Sequence, residues 1–259
     1  MTKTYDIIII GGGHNALVCA NILAKKNKKV LICEARDECG GLLTNQLTSF
    51  TPGLHNNIKS SIDPISINET LINSVALSET KHHLKLSGNK NEDQKTLENF
   101  SSEDAECFFK LEKKLSLFSK TLGAFMQSSP PRIMNNSFSD NFKLFKLGLN
   151  VRLMGKKNFN EFTRMIGLNI ADELEDNFEN KLLQGLIAHD SITGSNLGPR
   201  SPGTLINLLY RMAAYDHSIF GGIKRIEGGV LSAINALEDN LIKRGVDIRK
   251  SCPVKKCII

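Results

Sequence analysis

The chain has 259 residues, 33 basic against 27 acidic for a formal charge of +6, with 41% hydrophobic and 23% charged residues. These proportions are ordinary for a globular protein and exclude a disordered, collagen-like or coiled-coil chain; the length suffices for one large domain or two modest ones. Short basic clusters such as Lys25-Lys26, Lys28-Lys29 and Lys156-Lys157 read as solvated faces, without the aromatic-laced basic stripe of a nucleic-acid binder.

Tyr5 to Ile10 is a short β-branched apolar run, the pattern of a central parallel strand, and Gly11-Gly12-Gly13 interrupts it. Leu17, Ala20, Leu23 and Ala24 then recur at helical spacing, and Lys29 to Cys33 is a second apolar strand closed by Glu34. Strand, glycine turn, helix and strand make one βαβ unit with a right-handed crossover. From Leu54 to Asn99 the sequence is polar and lacks a sustained period; it predicts a short helix near Asn68 to Leu77 and a weak strand near His83 to Leu86.

Ser101-x-x-Asp104 reads as an acidic capping box. It precedes Phe108, Leu111, Leu115, Phe118, Leu122 and Phe125, the apolar stripe of a long helix stopped by Pro130-Pro131. Packing into a core fits that stripe better than lining a ligand tunnel. Further helices are predicted at Phe142 to Leu153, Phe159 to Leu168, Ala171 to Phe178, Lys181 to His189 and Leu205 to Ala214, with a loop at Ser191 to Gly203. Gly228-Gly229 opens a last helix, Val230 to Arg244, which Gly245 caps. Val246 to Ile248 and Val254 to Ile259 are predicted as closing strands. The fold class is therefore α/β, a Rossmann-type domain with a parallel sheet, interrupted by a mainly helical insert.

Gly11-Gly12-Gly13-His14-Asn15-Ala16 fits G-x-G-x-x-A between a strand and a helix, and Glu34 follows 23 positions after Gly11 at the end of the next strand. That is the context of a dinucleotide fingerprint. Gly11 permits the tight turn, Gly13 lets backbone approach a pyrophosphate, and Ala16 allows close helix–strand packing. The helix N-terminus offers N–H groups to an anion, and Glu34 can accept from ribose hydroxyls. The backbone of His14 and Asn15 belongs to this turn, while their side-chain roles stay open.

Glu34-Ala35-Arg36-Asp37 followed by Gly40-Gly41 resembles the FAD-binding signature of the amine oxidase and phytoene desaturase superfamily. Gly198-Pro199-Arg200-Ser201-Pro202-Gly203-Thr204, Glu227-Gly228-Gly229-Val230 and Gly245-Val246-Asp247-Ile248 resemble its phytoene-dehydrogenase-related branch, the pyridine nucleotide-disulphide oxidoreductase domain-containing 2 family. The resemblance implies FAD as cofactor and an FAD-dependent oxidoreductase. It implies cofactor contacts at Gly11, Gly12, Gly13, His14, Asn15, Ala16, Glu34, Ala35, Arg36, Gly40, Gly41, Leu42 and Val254. Many superfamily members carry Arg where this chain has Leu42.

The domains expected on this basis are 1–60, the first FAD-binding segment; 61–222, the helical substrate-domain insert; and 223–259, the returning FAD-binding segment. Family members continue further, so the expectation is an N-terminal portion, or a non-catalytic dinucleotide-binding protein that acts through a partner chain. Expected partners are a small apolar substrate and either a C-terminal half or a second copy of the chain, with peripheral membrane contact left open and no nucleic acid. No catalytic residue and no metal ligand set is assigned. Six scattered cysteines form no disulfide framework, and Cys252 and Cys257 do not fall where the redox pair of disulphide reductases falls; the expected location is cytoplasmic.

Overall fold

A computed structural model describes residues 3–43, 69–71, 74–79, 83–127, 130–132, 137–214, 219 and 224–258. The chain divides into two compact units, Met1–Thr70 with Lys224–Ile259, and Leu71–Ile223.

The first unit is α/β. Its parallel sheet has the order β1 (Ile7–Ile10), β2 (Val30–Cys33), β7 (Asp247–Arg249). Ile7 pairs with Val30 and Ile10 with Cys33 on one side of β2, and Leu31 with Asp247 and Cys33 with Arg249 on the other. The central strand among those described is therefore β2, which is buried along its whole length, and not β1. In β1 burial alternates, leaving Ile8 and Ile10 59% and 58% exposed. Uniform isoleucine does not reveal this alternation, which depends on what covers each face.

Helix α1 (His14–Lys25) and helix α9 (Val230–Lys243) pack on the sheet through Leu17, Ala20, Ala24, Ile234, Leu237 and Leu241, with Val30, Ile32 and Val246 beneath. Buried Asn21 joins the helices, its amide donating to the Leu17 and Leu237 carbonyls at 2.9 and 3.1 Å. Gly228 and Gly229 precede α9 with φ of +76° and +74°, and Gly245 closes it at +74°, all in the region that favours glycine. Residues 254–258 are not a strand. Beyond β7 the chain is held to the β2 end at Ser251 and Cys252, and the expected pattern of Val254 to Ile259 finds no ladder there.

In the second unit β4 (Ser74–Leu77) and β5 (His83–Leu86) form an antiparallel pair; β3 (Glu69–Leu71) and β6 (Lys224–Ile226), which pair with each other, lie where the first segment of the first unit ends and its second begins. The helix expected near Asn68 to Leu77 is thus replaced by two strands. Ladder hydrogen bonds to β5 outweigh the local preference there. The predicted strand at His83 to Leu86 is present, with Leu84 and Leu86 buried.

The helices of this unit are α2 (Lys90–Phe100), α3 (Ser102–Gln127), α4 (Phe138–Met154), α5 (Lys156–Gly167), α6 (Ile170–Asn177), α7 (Lys181–Ile192) and α8 (Thr204–Ala214). Phe108, Leu111, Leu115 and Phe118 of α3 are buried with residues of α5 to α8 in one core, the packing role expected of them. Within it Asp190 is 6% exposed and pairs with Arg211 at 2.6 Å, so burial raises its carboxyl above the usual range while Arg211 opposes the shift.

Candidate dinucleotide-binding site

The β1–α1 turn is built from positions that need glycine for different reasons. Gly11 has φ of +93°, and its N–H donates to the Cys33 carbonyl at 2.8 Å, extending the parallel ladder by one step. A Cβ on Gly12 would lie 2.5 Å from Cys39 Sγ and 3.2 Å from Glu34 Oε2. Gly13 has an ordinary extended φ of −67°, and a Cβ there would meet the Gly41 Cα at 3.9 Å, a normal contact.

Gly40 and Gly41 close over this turn. Gly40 N–H donates to the Gly12 carbonyl at 2.9 Å, Gly13 and Gly40 form a parallel bridge, and Gly41 has φ of +65°. Arg36 Nη1 donates to the Gly41 carbonyl at 3.2 Å and so closes the loop from Glu34 to Gly41 on itself. Two glycine segments distant in sequence thus lie backbone to backbone beside the start of α1.

Helix α1 begins without a side-chain cap and has no acidic residue in its first turn. Its first N–H groups and the positive end of its dipole therefore remain available for an anion. Glu34 stands at the end of β2 and is 8% exposed. One carboxylate oxygen accepts the Gly12 N–H and the other the Arg36 N–H at 2.9 Å. The N–H bonds from Arg36 and Gly12 hold its carboxyl below the usual range against the opposing effect of burial, so it is anionic at neutral pH. Each oxygen keeps a lone pair for a further donor.

The structure brings together Gly11, Gly12, Gly13, Glu34, Arg36, Gly40 and Gly41. His14, Asn15 and Ala35 are exposed beside the turn, and Ala16 is half-buried in the first turn of α1. Leu42 is 87% exposed, and Val254 is 39% exposed and outside any strand. The segment before Val254 reaches the site: Ser251 N–H donates to the Arg36 carbonyl at 2.7 Å, and Cys252 N–H to the Glu34 carbonyl at 2.8 Å.

Sequence reading missed Cys39. It is 4% exposed under Gly12, and burial, reinforced by its hydrogen bond with Glu238, pushes its thiol up to about 12. Glu238 is in turn bridged to Lys250 at 2.8 Å. The available signal was a cysteine immediately before Gly40-Gly41. Cys252 and Cys257 have the C-x-x-x-x-C spacing of a reductase pair but are both free, and Cys252 hydrogen bonds the buried Cys33. Among the described residues no group of His, Cys, Asp and Glu is arranged to hold a metal ion; His55, His82 and His217 lie outside them.

Residues 9–57 match the family described as the NAD(P)-binding Rossmann-like domain, which spans the β1–α1 turn, Glu34 and Gly40-Gly41. Fold and site together define a dinucleotide-binding Rossmann-like unit. Over 94% of its length the chain is 21% identical to pyridine nucleotide-disulfide oxidoreductase domain-containing protein 2 of Rattus norvegicus, of which it covers 47%. The chain thus spans about half the length of that relative. A 74-residue stretch, 29% of this chain and 18% of the other, is 39% identical to UDP-galactopyranose mutase of Mycoplasma genitalium. A solved structure of putrescine oxidase shares the fold at a TM-score of 0.51 and 16% identity, over 98% of this chain and 52% of that one. The resemblance carried by the sequence motifs is found again in these relatives.

Proposed function

We propose that the first unit binds FAD and supplies the adenosine and pyrophosphate part of the cofactor site of an oxidoreductase acting on a small apolar organic substrate. The observation that carries this reading is the convergence of Gly11–Gly13, anionic Glu34 and the Arg36-tied Gly40-Gly41 turn at the uncapped start of α1. Glu34 would accept the ribose hydroxyls, and the N–H groups around Gly13, His14 and Asn15 would take the pyrophosphate. Ala16, Ala35, Leu42 and Val254 would line the cofactor by surface contact. The preference for FAD over a nicotinamide dinucleotide rests on Glu34-Ala35-Arg36-Asp37 followed by Gly40-Gly41. A bound flavin supplies the hydride acceptor, so the protein's part is to bind, orient and shield. Cysteines that are free among the described residues fit a reducing, cytoplasmic setting.

A second reading is a dinucleotide-binding protein that acts through a partner chain. It is favoured by the groups the proposal uses: Glu34 and the start of α1 would meet ribose and pyrophosphate, and among the described residues the proposal gives none to the reacting ring.

At Gly13 an added Cβ would meet only an ordinary 3.9 Å contact with the Gly41 Cα, and the larger side chain of Gly13→Val would enter the space of the phosphates, with circular dichroism as the check on the fold. The full chain mixed with FAD and desalted should keep a protein-bound flavin spectrum, and Gly13→Val should lose it at unchanged circular dichroism. A folded wild-type chain that keeps no flavin, or a Gly13→Val chain that keeps it, sinks the proposal. Flavin that binds but is not reduced anaerobically by apolar alcohols, amines or polyenes favours the second reading.

A further inference from the structure

Helix α4 turns its three phenylalanines and two of its leucines, Leu149 and Leu153, away from the protein. Asp140, Lys143, Leu147, Asn150, Val151 and Met154 are the partly or fully buried positions, a mixed and mostly unremarkable inward face. Phe138, Phe142, Phe145, Leu149 and Leu153 are 86%, 59%, 65%, 40% and 75% exposed. At about 100° per residue these five fall within an arc of about 80°. A helix that only served the core would show the reverse arrangement.

Cations border the stripe. Lys146 lies on one flank and Arg152 on the other, both exposed, and Lys156 and Lys157 follow at the start of α5. Asp140 is on the inward side, 3.6 Å from Lys143, so within the described residues of α4 the outward face has no carboxylate. No described helix is long and apolar enough to cross a membrane.

We propose that α4 is a membrane-surface helix that lies flat on an anionic lipid bilayer, with Phe138, Phe142, Phe145, Leu149 and Leu153 in the acyl boundary and Lys146 and Arg152 at the headgroups. An apolar face of this width buries its rings at the interface, and flanking long cations keep their charge at the phosphates while their stems cover apolar surface. The charge complementarity selects anionic lipid over a neutral apolar protein groove, which would leave Lys146 and Arg152 without partners. The assignment is independent of flavin binding, since α4 belongs to the second unit.

The test is co-sedimentation of the full chain with vesicles of phosphatidylcholine alone or with about one third phosphatidylglycerol. Wild type should pellet with the anionic vesicles and release as salt rises. Phe142→Asp/Phe145→Asp should lower binding at least about tenfold at unchanged circular dichroism, since both rings are already in solvent. Lys146→Gln/Arg152→Gln should lower binding to anionic vesicles roughly fivefold per cation removed and leave binding to neutral vesicles unchanged. Equal pelleting of wild type and the Asp variant overturns the proposal. So does a wild type that ignores vesicles while forming a dimer in solution that the Asp variant dissolves, because the stripe would then serve a second copy of the chain.

Discussion

At Gly12 the backbone has no space for a methyl group, because Cys39 Sγ and Glu34 Oε2 stand where a Cβ would go. Neither neighbour is the free end of a long side chain: Cys39 is in the core and Glu34 is held by two N–H groups. Gly12→Ala should therefore destabilise the fold by about 1–3 kcal/mol, read as a lower urea midpoint. A midpoint unchanged from wild type would show that the turn yields more readily than this geometry implies. Gly13 is the opposite case, since a Cβ there meets the Gly41 Cα at an ordinary 3.9 Å. Two adjacent glycines thus meet different surroundings, one closed off by protein atoms and one with room for a Cβ.

Glu34 gives a pH dependence of known sign. Its folded-state pKa lies below the ordinary 4.5, so its charge stabilises the fold above that value. The stabilisation is lost as the pH falls through the lower, folded-state value. Glu34→Gln removes the ionisation and should flatten the fall in urea stability between neutral pH and the acid limb. Parallel stability curves for the two proteins would mean that the carboxylate is not held by the Gly12 and Arg36 N–H groups.

Among the elements, the start of α3 shows a local motif redirected by its tertiary setting. Ser101 Oγ accepts the Asp104 N–H at 3.1 Å, as a capping box requires. The Asp104 carboxylate does not reach back. It accepts the Glu179 and Asn180 N–H groups, both at 3.0 Å, just ahead of α7, and is 4% exposed. Asp104→Ala would strand two N–H groups in a part-buried setting and should cost about 1–2 kcal/mol, with a lower Tm. A loss of only a few tenths would show that water replaces the carboxylate. Helix α2 escaped sequence reading for a related reason. It buries only Asp93 and Leu97, so no apolar period announces it. Asp93 instead accepts the Ser87 and Gly88 N–H groups at 2.7 and 2.8 Å, and Asn89 caps the helix. Helices that bury continuous stripes, such as α3, α7 and α9, are legible in the sequence, α9 to within one residue and α7 with its end three residues short.

For the molecule as a whole, the first unit is assembled from both ends of the chain. Its core needs Ile234, Leu237, Leu241 and Val246 as much as Leu17, Ala20 and Val30. The chain's own order of apolar periods and glycine turns determined the α/β class, the βαβ start, the helical character of the middle and the positions Gly11–Gly13 and Glu34. These are local properties, read within a few residues by spacing and backbone preference. Tertiary structure alone decided that β2 and not β1 lies between two partners, and that residues 69–71 and 74–77 are strands. It also placed Cys39 under Gly12, bound Cys252 to Glu34, and turned the phenylalanines of α4 outward. Each of those depends on which surface another part of the chain covers, and burial is a property of the assembled neighbours rather than of the residue.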